Sequence, residues 1–102
     1  ERSRLLGLLH ATPGVVLVSG DRHWSSMYRD ETGLTEMTAS SINRPSNKAF
    51  TETGPNQFTT PYVDPNYGEI EVDWETRTAT LTTYDAAGVS VARVSVGLPI
   101  AP

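Results

Sequence analysis

Cysteine is absent from this 102-residue chain, so no disulfide and no thiolate metal ligand can come from it. That absence leaves the redox compartment open. No apolar run approaches the roughly 18 residues that a membrane-spanning helix needs. Basic residues are few: eight Lys and Arg stand against twelve Asp and Glu. The resulting charge of −4 gives no attraction to nucleic acid or to anionic lipid. Hydrophobic residues make up only 37%, while Gly and Pro number eight and seven. That balance suits a loop-rich β protein with one helix better than a helical bundle. The length allows one domain at most, and a domain of about this size buries roughly 60–70% of its unfolded surface.

The most informative stretch that is present runs from Val15 to Trp24. Val15-Val16-Leu17-Val18 is a continuous aliphatic run, which reads as a strand covered on both faces. Ser19-Gly20 ends it, and Gly20 allows a sharp turn. Asp21 and His23 then follow one residue apart. Ligands commonly sit beyond the carboxyl ends of strands in α/β sheets, so a carboxylate and an imidazole stand where metal ligands are often mounted.

Around this stretch the pattern predicts a helix over 2–11, with Leu5, Leu8 and Leu9 on one face and Leu6 beside them. Thr12-Pro13-Gly14 stops it. Met27 to Arg29 and Leu34 to Ala39 read as a hairpin around Asp30-Glu31-Thr32-Gly33. Residues 43–66 carry Pro45, Pro55, Pro61 and Pro65 with Asn43, Asn47, Asn56 and Asn66, and read as a long loop without regular structure. Ile70, Val72 and Trp74 alternate with Glu69, Glu71 and Asp73, the period of a strand with one wet face. Thr78 to Tyr84 and Val89 to Val96 complete a meander, and the change of phase between Val91 and Val94 predicts a bulge near Ala92-Arg93.

Val18-Ser19-Gly20-Asp21-Arg22-His23-Trp24 resembles the final metal motif of the PhoD-like alkaline phosphatases, a branch of the calcineurin-like metallophosphoesterases. The likeness extends to Glu1-Arg2-Ser3-Arg4-Leu5-Leu6, to Leu34 through Arg44 with its Ser40-Ser41-Ile42-Asn43 loop, and to the Asn66-Tyr67-Gly68 opening of the last hairpin. The family's earlier motifs (an upstream Asp-x-His, Gly-Asp and Gly-Asn-His) do not precede Asp21. The resemblance therefore implies the C-terminal part of a four-layer α/β/β/α sandwich. Here that part is an α/β piece of one N-terminal helix and a mostly antiparallel set of about six strands. Its portions are residues 1–42 (helix, motif strand and hairpin), 43–66 (the long loop) and 67–98 (the terminal meander).

What the resemblance implies for function is a metal-dependent phosphatase acting on phosphate mono- or diesters. Asp21 and His23 are the expected metal ligands, Arg22 and Asn43 the expected substrate contacts, and no catalytic side chain is assigned. Two or more metal ions are implied in the whole enzyme, iron and calcium by family. The wider superfamily places Gly-His-x-His where this chain has Gly-Asp-Arg-His, and a carboxylate there favours harder cations. The expected partners are a phosphate ester and the upstream part of the same domain, with no nucleic acid and no membrane span. The family implies an extracellular or periplasmic location. Alone, the chain is expected to be inactive.

The residues also admit plainer uses. Asp21 can cap its loop and His23 can be a surface histidine. Arg22 can pair with Asp21 or Asp30, and Trp24 can be core. Ser40, Ser41 and Asn43 can serve only to form turns. His10 suits the negative end of the helix dipole, and the Glu69, Glu71 and Asp73 row suits a solvated face. The alternative function is a non-enzymatic β-rich binding or accessory module that uses the 43–66 loop.

Overall fold

The computed structural model describes residues 1–44 and 54–99; the part of the expected long loop over 45–53 lies outside the described residues. One helix, α1 (Arg2–Ala11), precedes six strands: β1 (Val16–Ser19), β2 (Ser25–Arg29), β3 (Thr35–Ala39), β4 (Asn66–Asp73), β5 (Thr78–Asp85) and β6 (Ser90–Gly97). They form two sheets, in the orders β1-β3-β2 and β4-β5-β6. Every pairing is antiparallel except β1 with β3. The expected helix, hairpin and meander are all present.

Helix α1 ends as the sequence implies. Thr12 leaves the helix at φ −104°, its N–H donating to the carbonyl of Leu9. Gly14 then turns at φ +76°, against Pro99: a Cβ there would meet the proline ring at 2.6 Å. The helix buries none of its residues, and Leu5 and Leu8 stay exposed. Leu6 instead shares a cavity with Leu17, Tyr28 and Glu36 on one face of the first sheet. His10 ties the end of the helix to that sheet, its Nε2 lying 2.8 Å from Asp30 Oδ2.

The β2–β3 turn is built around the other Asp30 oxygen. Oδ1 accepts from the Thr32 N–H, the Thr32 hydroxyl and the Leu34 N–H, an arrangement that reproduces a backbone turn with a side chain. The Thr32 hydroxyl first, then the His10 contact, hold the Asp30 carboxyl well below its ordinary range against the opposing effect of desolvation.

Strand β1 departs from the expectation of a strand covered on both faces. Among the described residues it lies at the sheet edge with only one neighbour, and Val18 is 63% exposed. An all-aliphatic run reports low affinity for water; it does not by itself supply the covering layers. The opposite edge, along β2, is covered. Ser25 and Tyr62 exchange both backbone bonds at 2.9 Å, the Phe58 N–H reaches the Met27 carbonyl, and the Arg29 N–H reaches the Asn56 carbonyl. The described end of the proline-rich loop thus blunts an exposed edge without being a full strand.

The two sheets pack through a small core of Met27 and Met37 against Ala79 and Leu81, with Val16, Ala92, Val94, Val96 and Leu98 around it. Arg29 adds a polar strut, donating from Nε to Thr35 Oγ1 and from Nη2 to the Ser95 carbonyl. In the second sheet the bulge falls at Val91, because Thr83 faces Ala92 while Tyr84 faces Ser90. The phase change placed it one residue later. Strand β4 begins at Asn66, earlier than the alternation showed, since Tyr67 already stacks on Tyr84 with ring centroids 5.2 Å apart. Trp74, just past the strand, is 68% exposed.

Candidate functional site

The parallel pairing of β1 and β3 brings their carboxyl ends to the same end of the first sheet. Residues 20–24 leave β1 there, and residues 40–44 leave β3 beside them. The His23 N–H donates to Ser40 Oγ at 3.1 Å, which joins the two loops directly. The structure therefore places His23 next to Ser40, with Asp21 in the same loop as His23.

Backbone strain concentrates at this place. Asp21, His23 and Ser41 hold φ values of +70°, +61° and +85°, and the other positive-φ residue besides glycine among the described residues is Arg77. Each such conformation costs on the order of 1–3 kcal/mol and persists only where the surroundings fix it. Aspartate tolerates the region better than most residues; histidine is also enriched there. Gly20, expected to make the turn, is not a positive-φ residue, so the reversal is carried by Asp21 and His23 themselves.

Asp21 is exposed and His23 half-buried. Among the described residues, no three His, Cys, Asp or Glu side chains gather closely enough to hold a metal ion together. The pair supplies one carboxylate and one imidazole, a donor set that fits part of a metal site and not the whole of one.

Arg22 lies with its guanidinium carbon 4.6 Å from the centre of the Trp24 ring, a cation–π geometry. Trp24 is buried at 3% exposure, as its core reading expects, and among the described residues its Nε1 has no hydrogen-bond partner. Both residues line a cavity of about 270 Å³ together with Ser19, Tyr28, Glu36 and Thr38. Within it Ser19 Oγ donates to Glu36 Oε1 at 2.7 Å. The cavity opens on the face of the first sheet turned away from the second. Sequence reading gave no role to Glu36, although its place in the β3 alternation puts it on the face opposite Met37.

Asn43 is exposed in the turn that Ser41 closes by accepting the Arg44 N–H at 2.7 Å. It shares the site end of the sheet with Asp21 and His23, but Arg22 faces Trp24. Sequence reading also missed the part played by Asn66. Its side chain is buried and bonds both backbone groups of Ser40, a contact foreshadowed only by the Asn-aromatic-Gly string.

The Glu69, Glu71 and Asp73 row is exposed along β4 and serves local contacts. Glu69 accepts from the Tyr84 hydroxyl. Asp73 Oδ1 accepts the N–H groups of Glu75 and Thr76, and these two bonds, the Thr76 one foremost, lower its pKa. No described helix is long and apolar enough to cross a membrane. Neither a family model nor a curated protein sequence matches this chain.

Proposed function

We propose that this chain is the C-terminal part of a metal-dependent phosphatase acting on phosphate mono- or diesters, with Asp21 and His23 as metal ligands. The observation that carries the reading is the cluster of left-handed residues at the site end of the first sheet, Asp21, His23 and Ser41. Left-handed backbone clusters at functional sites, and here it falls at a strand end on a carboxylate and an imidazole, which supports the reading. The Gly-Asp-Arg-His string adds the resemblance to the PhoD-like branch of the metallophosphoesterases.

Bound metal ions supply charge that polarises a phosphoryl oxygen and acidifies water. Iron and calcium are the cations that the resemblance favours, and the Asp21 carboxylate suits a hard cation. The chain's own residues then have separate tasks. Asp21 and His23 hold one side of the metal site, while upstream sequence supplies the remaining ligands and the other layers of the α/β/β/α sandwich. Arg22 and the adjoining cavity border the place where a phosphate ester binds, and Asn43, exposed on the loop after β3, is the second substrate contact of this reading. An extracellular or periplasmic location belongs to the same reading.

The test is hydrolysis of p-nitrophenyl phosphate and its bis ester by the polypeptide expressed with its upstream coding sequence, with and without calcium and iron. Metal-dependent turnover that His23→Ala abolishes is the expected outcome. Turnover indifferent to both His23→Ala and Asp21→Ala, or no turnover at all, would overturn the reading and leave the binding module. The 102-residue chain alone is expected to show none.

A further inference from the structure

The contact that holds His23 originates in the other sheet. Asn66 opens β4 and is 2% exposed, and its side chain makes three hydrogen bonds. Oδ1 accepts the Ser40 N–H at 3.0 Å, while Nδ2 donates to the carbonyls of Ser40 at 2.8 Å and Asp64 at 2.9 Å. The Asn66 N–H donates in turn to the Ser41 carbonyl at 3.1 Å. Ser40 is thereby fixed at both its backbone groups, and its Oγ accepts the His23 N–H. Gly68, two residues along the same face of β4, permits this approach: a Cβ there would lie 2.8 Å from Met37 Cε and 2.9 Å from Ala39 Cβ.

The geometry points to Asn66 as a positioning residue for His23, which it holds in the left-handed turn through Ser40. An asparagine suits this role because its planar amide offers an acceptor and two donors from one side chain. It acts toward Ser40 as a neighbouring strand would, just where β3 has ended and no ladder continues. An aspartate retains the acceptor and loses both donations; an aliphatic residue loses everything. Because ψ and χ1 of His23 start from this fixed backbone, the direction of the imidazole beside Asp21 depends on a residue 43 positions away in sequence (66 − 23). The relevance to metal binding rests on the function proposed above; the positioning itself does not.

Amide hydrogen exchange of the 102-residue chain separates the two. Wild type, Ser40→Ala, Ser40→Thr and Asn66→Ala are compared, with the Leu81 amide in the same sample as the reference for global stability. Relative to Leu81, His23 exchange is expected to accelerate by about tenfold or more in Ser40→Ala and Asn66→Ala. Ser40→Thr, which keeps the hydroxyl acceptor, is expected to stay within about threefold of wild type. If His23 changes only in step with Leu81, or not at all in Ser40→Ala, the positioning role is overturned and Asn66 merely supports the fold. The ligand reading is tested separately, by the hydrolysis assay on the polypeptide expressed with its upstream coding sequence. The expected exchange pattern together with no metal-dependent hydrolysis by the polypeptide carrying its upstream sequence would remove that reading and leave the positioning intact.

Discussion

The two sheets differ in how they complete their backbone hydrogen bonds. The second sheet is self-contained: three strands of eight residues pair in sequence order, joined by turns that Asp73 and Asp85 cap with their own carboxylates. The first sheet has strands of only four and five residues and depends on outside help. Segment 56–62 closes one of its edges, Asn66 completes the end of β3, and His10 ties its turn to the helix. The comparison teaches where a site can be housed. The meander pairs consecutive strands along their full length, whereas the short, partly parallel sheet ends early and hands its last residues to irregular loops. In this chain those loops carry Asp21 and His23.

The largest expected effect comes from the residue both sheets share. Leu81→Ala removes a fully buried side chain from the common core, so a loss of about 2–5 kcal/mol is expected in urea unfolding. Trp24 sits by the first sheet and Trp74 at the end of the second, so their fluorescence can be compared. The two transitions are expected to move together; a shift at Trp74 alone would show that the core is not shared.

Gly68→Ala is expected to act at the joint. The new methyl meets the Ala39 Cβ, which cannot swing aside as the Met37 terminus can, and overpacking of this kind costs about 1–3 kcal/mol. Exchange protection is expected to fall first in β3 and to persist in β5–β6. Adding Ala39→Gly is expected to restore part of the loss. Equal loss of protection in both sheets would erase the distinction drawn between them.

A pair of carboxylates sharpens it further. The folded-state pKa values of Asp30 and Asp73 are both lowered, Asp30 by the Thr32 hydroxyl and then His10, Asp73 by the Thr76 and Glu75 amides. A depressed pKa contributes stability above the unfolded-state value of about 3.9, and that contribution is lost as pH falls below it. Asp30→Asn is therefore expected to lower the urea midpoint at neutral pH and to lose that difference in acid. Asp73→Asn is expected to follow the same sign with a smaller change, since its turn closes a self-sufficient hairpin. A larger effect at Asp73 would reverse the ranking.

Smallest of all is Leu8→Ser on the helix. Leu8 is 61% exposed, and a change there is expected to stay within about 0.5 kcal/mol. A loss well beyond that would mean that the helix contributes more to the first sheet than its His10 tie.

Legibility in the sequence followed the same division. Helix α1, the hairpin and the meander were readable because consecutive elements pair and periodicity records which face each residue takes. The Val91 bulge was located to within a residue from the change of valine phase. Strand β1 read as buried because aliphatic composition reports hydrophobicity without reporting neighbours. Asp21 and His23 were marked by following an apolar run and by resemblance, but their left-handed backbone was not, since nothing local demands it. The link from Asn66 through Ser40 to His23 joins residues far apart in sequence. Single-sequence periodicity holds no record of such contacts, and the Asn66-Tyr67-Gly68 string pointed to a hairpin without saying what its asparagine holds.

The most direct test of Asp21 and His23 as a metal-binding pair is paramagnetic broadening by Mn²⁺, a cation with the preference for oxygen and nitrogen donors that this pair offers. Increasing Mn²⁺ is added to the 102-residue chain while amide and imidazole resonances are followed. Broadening is expected to centre on Asp21 and His23, to reach Ser40 next, and to vanish in Asp21→Asn. Broadening that centres instead on the Glu69–Asp73 row, or that survives Asp21→Asn unchanged, would contradict the assignment.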